Sequence, residues 1–196
     1  MTASLPQVPM DTPIDALGTC TRLAALLGRA DHLLARAEDG RPTEFGLDRR
    51  LAPDMFSLAE QVVVLADSLI GSAALLTGHS ASTVREAAWV FNRGAAEGLG
   101  ELPVTLAAAR HRLLAAHSAV IDMARDSPRP ASQRADAEVV VARPGHVRRF
   151  RLAAFVHDYA LPNAYFHLTM IHALLRQAGV VIGKADYEGP RPYTLD

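Results

Sequence analysis

Leu17, Leu23, Leu26, Ala30, Leu33 and Ala37 recur mostly at three- and four-residue steps, the spacing of an amphipathic helix. Asp11 or Thr12 ahead of Pro13 supplies an N-cap with proline in the first turn, and Asp39-Gly40 followed by Pro42 ends the element. Phe45, Leu47 and Leu51 anchor a short turn of helix in the connection that follows. From about 54 to 77 the chain is apolar almost all round, which predicts a buried helix stopped by Gly78. Ser80-Ala81-Ser82-Thr83 opens another short helix, with Thr83 and Glu86 at capping-box spacing, that carries Trp89, Val90 and Phe91 and fades near Gly94 and Gly98. Leu106, Leu113, Leu114, Val120 and Ile121 mark a longer helix over about 103–124.

Residues 126–136 are rich in Ser, Pro, Arg and Asp and read as an exposed loop. Two Val-rich runs then flank Arg143-Pro144-Gly145-His146, and Pro-Gly suits the centre of a type II turn, so a β-hairpin is expected. The last helix covers about 152–178, kinks at Pro162, which lacks a backbone N–H, and closes at Gly179. Residues 1–11 form a flexible lead-in, and the chain from Val180 on, including the tail 190–196, is expected to lie extended along the surface. The prediction is one domain over 1–196: all-α, an up-down-up-down four-helix bundle with an inserted short helix and a small β-hairpin before the last helix.

Composition supports this. Apolar residues make up 49% of the 196, with Ala and Leu dominant, and both favour helix. Twenty basic residues balance 21 acidic ones, so no overall field favours nucleic acid or an anionic membrane. Stretch 62–76 is the most hydrophobic, yet it is short for a bilayer span and contains Asp67 and Ser68. The single cysteine, Cys20, reads as a small buried hydrophobe and suits a reducing compartment. Without a secretory signal in its first residues, the protein is expected to be cytoplasmic. An Ala/Leu-rich bundle also leaves room for a homodimer.

The chemistry concentrates on two stripes. Tyr159, Asn163, His167, Met170 and Leu174 share one side of the last helix. At about 100° per residue, positions 163 and 167 point within roughly 40° of each other. On the second helix Asp54, Gln61 and Ser68 are spaced by seven and drift only about 20° per step. Two such stripes predict a pocket between the helices, where bundles often build ligand sites. Polar groups facing a core need partners, which gives a purely structural alternative. In it, Asn163 satisfies a carbonyl freed by Pro162, and His167 bonds to Gln61 or to backbone.

No metal site is expected. Among the eight histidines none are four apart, His167 and His172 diverge by about 140°, and the second helix has no histidine. Ser68, Ser72 and Thr169 lack a nucleophilic-triad pattern, and Gly179 to Lys184 lacks P-loop spacing. Lys184, Asp186 and Tyr187 are instead expected to pin the tail to the bundle.

Three blocks carry a family resemblance: Arg50-Leu51-Ala52-Pro53-Asp54-Met55; Leu161-Pro162-Asn163 with Tyr165-Phe166-His167; and Leu175-Arg176, Gly179 and Gly183-Lys184 with Asp186-Tyr187. In them the chain resembles a bacterial and fungal branch of uncharacterised DinB/YfiT-like proteins, over roughly 14–78 and 103–189. The resemblance implies a four-helix bundle with a hairpin before its last helix. Many DinB-like relatives bind a divalent metal through three histidines, one on the second helix and two on the fourth, and some are thiol-dependent transferases or isomerases. Matched by position, the fourth-helix pair is Asn163 and His167, and the second-helix place falls near Ser68. Only His167 is kept as a good ligand, so the metal chemistry is not carried over. Segment 79–101 exceeds the length expected of the branch, and its Trp89 and Phe91 either cap a pocket or pack over the bundle end.

The reading carried forward is a small-molecule-binding bundle without cofactor, of isomerase, cyclase or lyase type if catalytic. Asn163 and Gln61 orient the ligand, with Ser68, Asp54, Trp89 and Met170 lining the pocket, and His167 or Tyr159 moves a proton. Its rivals are a non-catalytic structural, stress or interaction protein, and a divalent-metal transferase or isomerase.

Overall fold

The computed structural model describes residues 14–40, 46–79, 99–127, 138–143 and 146–190. Helix α1 (Ala16–Gly40) starts behind Asp15, whose carboxylate accepts the Gly18 amide at 3.0 Å. The cap expected at 11–13 lies outside the described residues. Cys20, Leu23, Leu27, Ala30 and Leu34 form the buried stripe of α1.

Helix α2 (Leu58–Thr77) starts later than its apolar pattern suggested, because Ser57 and Glu60 build a capping box. The Ser57 hydroxyl accepts the Glu60 amide at 3.3 Å, and Glu60 accepts the Ser57 amide at 2.5 Å. Residues 51–55, of which 54 and 55 were expected to be helical already, are wound in turns, with the Met55 amide donating to the Ala52 carbonyl at 3.0 Å. Arg50 closes the unit: its guanidinium donates to the Met55 carbonyl at 2.5 Å and lies 2.7 Å from the Glu60 carboxylate. Block 50–55 is thus a clamp on the start of α2. Gly78, at φ 80°, ends the helix in the left-handed region and donates to the Ala74 carbonyl.

Helix α3 (Leu106–Arg125) is capped by Thr105, whose hydroxyl accepts the Ala108 amide at 3.1 Å. The expected hairpin is present: β1 (Glu138–Arg143) pairs antiparallel with β2 (His146–Arg151), Val139 opposite Phe150. Its Pro-Gly turn, and the short helix expected within 80–98, fall outside the described residues. The last long helix, α4, runs as Leu152–Ala154, a π-helical stretch Phe155–Ala160, and Leu161–Gln177. Pro162 cannot donate, and the wider π turns just before it absorb the break. Beyond Gly179 the extended tail expected from the sequence contains a short helix, α5 (Lys184–Glu188), whose first turn is tied by the Gly183 amide to Asp186 at 2.8 Å.

The bundle with a hairpin before its last long helix is as expected, but the helices do not alternate in direction. Arg112 meets Asp67 and Ser127 meets the Thr77 carbonyl, so α2 and α3 run parallel. Arg110, at the start of α3, pairs with Asp31 and Glu38 near the end of α1, and these two helices pack antiparallel. Gln61, near the start of α2, meets His167 in the second half of α4, while the π stretch also lies against α2; these two are antiparallel as well. The order is up-down-down-up. Residues 78–105 are a connection long enough to return the chain to the starting end. By length and composition α2 is apolar enough to cross a membrane, but its side chains are spent on the interior of the bundle.

Burial alone pushes the Glu60 carboxyl up, but the Ser57 amide, the Arg50 guanidinium and the Ser57 hydroxyl outweigh it and hold it below the ordinary range. Its stabilising contribution is therefore full above the unfolded glutamate value of about 4.3 and fades as pH falls through the lowered folded value. Glu60→Gln is expected to cost about 1–3 kcal/mol at pH 7. The cost should shrink on acidification, as read by urea unfolding at pH 7 and below pH 4; a loss independent of pH would contradict the clamp.

Candidate functional site

Helix α2 is buried around nearly its whole circumference, so its polar side chains must find partners inside the protein. Glu60 has Arg50. Asp67 receives Nη2 of Arg112 on both oxygens, at 2.8 and 2.9 Å. Ser72 and Thr77 turn their hydroxyls onto the Ser68 and Ala73 carbonyls, at 2.8 and 2.7 Å. Gln61 reaches across to α4, where its Oε1 lies 2.6 Å from Nδ1 of His167, and each residue is only 1% exposed.

This last bond orders the imidazole. An amide oxygen only accepts, so Nδ1 carries the hydrogen of this bond. Nε2 is also out of reach of solvent. The Phe56 ring sits 6.3 Å from the imidazole, and Phe166 meets it edge-on at 5.3 Å. The result is an imidazole of fixed direction in an apolar, aromatic-flanked setting. Chemically it can accept a proton or a hydrogen bond.

Ser68, two helical turns further along α2 and 1% exposed, has an Oγ with no hydrogen-bond partner among the described residues. Because α2 and α4 are antiparallel, Ser68 is level with the π stretch and not with His167. Tyr159 also belongs to that level. Its ring is packed against Phe150 at 5.0 Å and Phe155 at 5.8 Å, with the Arg148 guanidinium 5.9 Å above it. Eight residues of α4 separate it from His167, about 12 Å of rise.

Asn163 is half-buried and turned back on its own helix, where Nδ2 donates to the Tyr159 carbonyl at 2.6 Å. Met170 is half-buried one turn beyond His167. Asp54 is exposed in the turn ahead of α2, and its seven-residue step to Gln61 has no helical meaning because the helix starts at Leu58. Trp89 and Phe91 lie outside the described residues. Of the expected set, then, the structure joins Gln61 with His167, puts Ser68 deeper along the same seam, and separates Asp54 from both.

Glu60 and Asp67 were not among the expected site residues. Ser57-x-x-Glu60 was a readable capping signal. The Asp67–Arg112 pair was not, since nothing local links two residues on different helices. Cys20 is buried, and burial first, then the Asp15 charge, push its thiol up to about 11, which suits the packing role expected of it.

The three-ligand metal centre implied by the resemblance does not fit these residues. At the matching places stand a hydroxyl (Ser68), an amide already given to a carbonyl (Asn163) and an imidazole whose Nδ1 is held by Gln61. Among the described residues, no three His, Cys, Asp or Glu side chains group to hold a metal ion.

The model of a family described as a domain of unknown function (DUF1993) matches residues 15–188. The crystal structure of a DinB family member protein from Shewanella denitrificans is similar at 25% identity and a TM-score of 0.66, over 90% of this chain and 93% of that one. No curated protein matches the chain.

In a double-mutant cycle, Gln61→Leu and His167→Leu are each expected to cost about 1–3 kcal/mol by stranding a buried polar partner. The double variant should cost clearly less than their sum, with a coupling of about 0.5–3 kcal/mol in urea unfolding. Strict additivity would show that the two side chains do not bond in solution.

Proposed function

The chain belongs to the DUF1993 family and has the DinB-like helical fold, and from that premise we propose that it is a small-molecule-binding bundle acting without a metal. The ligand sits along the seam between α2 and α4. His167 supplies the proton-accepting group, Gln61 fixes its tautomer, and Ser68, Asn163, Tyr159 and Met170 border the ligand. The reaction class that suits a single oriented base in an apolar setting is proton transfer, as in an isomerase, cyclase or lyase. The observation that carries this reading is Ser68 Oγ, on the row that Gln61 begins, buried with hydrogen-bonding capacity unused among the described residues. A buried hydroxyl left so is costly unless something bonds to it. Buried Cys20 supports a reducing, cytoplasmic setting.

A second reading, in which the polar groups only fix helix register, draws on the Asn163 side chain being taken up by the Tyr159 carbonyl. The two are separated by a thermal-shift panel of small neutral and acidic metabolites run on wild type, Ser68→Ala and His167→Leu. A ligand at 100 times its Kd adds about 2.7 kcal/mol, and each kcal/mol raises Tm by about 2–4 °C in a chain of this size. The binding reading expects at least one compound to raise the Tm of wild type but not that of a folded His167→Leu. If His167→Leu loses stability and responds to the panel as wild type does, the register reading holds.

A further inference from the structure

We infer that the protein carries a second ligand site, apart from the α2–α4 seam: a seat between α1 and α5 for a small amphipathic anion, a carboxylate or phosphate group on an apolar body, anchored by Arg29. Ala25, Gly28, Arg29 and His32 of α1 face Ala185 and Asp186 of α5 across a recess of about 820 Å³. That volume lies within the roughly 300–1,000 Å³ of small-molecule sites.

The charges around the recess are unevenly satisfied. Asp186 accepts the Gly183 amide at 2.8 Å and lies 3.6 Å from both His32 Nε2 and Arg36 Nε. Its charge is already answered. Arg29 is half-buried and has no acidic or hydrogen-bonding partner among the described residues. A guanidinium that has given up part of its hydration without a carboxylate is an incomplete pair, and a planar anion completes it.

The backbone runs close to that cation. Gly189 crosses Arg29 at φ 69°, so closely that a Cβ there would stand 3.3 Å from both Cγ and Nε of the arginine. The Gly189 backbone therefore passes close beside the arginine side chain at the wall of the recess. On the floor, a Cβ at Gly28 would meet nothing within 4 Å. Glycine inside a helix costs about 0.5–1 kcal/mol relative to alanine. No neighbour demands it here, and its effect is to keep the recess open beside small apolar side chains.

The test is an NMR titration of the full chain with decanoate and with decyl phosphate, using decanol as the neutral control. At least one of the two anions should shift the Gly28 amide and the Arg29 Nε–H saturably, with decanol at least tenfold weaker; the tighter anion identifies the headgroup. Arg29→Gln should weaken that binding tenfold or more. Gly28→Leu should abolish it while Tm holds or rises, which separates blockage from misfolding. The inference is overturned if neither anion shifts these signals, if decanol binds equally well, or if both variants bind like wild type. Shifts confined to Gln61 and His167 would also overturn it, and would point to the seam without testing this surface as its source.

Discussion

A helix enclosed on nearly every side makes one demand on the rest of the protein: whatever polar groups it carries must be met from outside itself. Helix α2 is that element here. Each of its polar side chains that reaches another element ties α2 to a different piece of structure: Glu60 to the preceding turn through Arg50, Gln61 to α4 through His167, and Asp67 to α3 through Arg112. Apolar burial supplies the bulk of the stabilisation but is indifferent to register. These ties are directional, and they set how the neighbouring helices lie along α2.

The same demand locates the candidate chemistry. An interior polar group fully answered by the protein is structure, and one only partly answered is available to something else. Asn163 is answered by its own helix and Asp67 by arginine. Gln61 orients His167, and Ser68 stands along the same row with its hydroxyl unused among the described residues. At the places where the resemblance implied three metal-binding histidines, this chain holds one imidazole, whose Nδ1 is already taken.

Much of the fold was legible because the signals were local. Three-and-four spacing marked α1 and α3, near-continuous apolarity marked α2 as the inner helix, and Pro-Gly between Val-rich runs marked the hairpin. Helix starts were misread where a cap inside the segment outranked the apolar pattern, as Ser57 with Glu60 did over Asp54. Direction was misread because a rule of alternation suits short loops, and residues 78–105 are a long one. Within the site, the Gln61–His167 pair followed from two facing stripes. That Asn163 would serve a backbone carbonyl was part of the structural alternative, but the place of Tyr159 was not legible, because the helical wheel assumes uniform turns and the π stretch before Pro162 breaks that assumption.

The central claim is that Gln61 holds His167 as an Nδ1–H imidazole inside the α2–α4 seam. The most direct measurement is a long-range proton–nitrogen correlation spectrum of ¹⁵N-histidine-labelled protein at neutral pH, comparing wild type with Gln61→Leu. The account predicts a slowly exchanging Nδ1–H signal for His167 that the substitution removes or displaces. A ring in the Nε2–H form, or one exchanging freely with water and indifferent to Gln61, would contradict it.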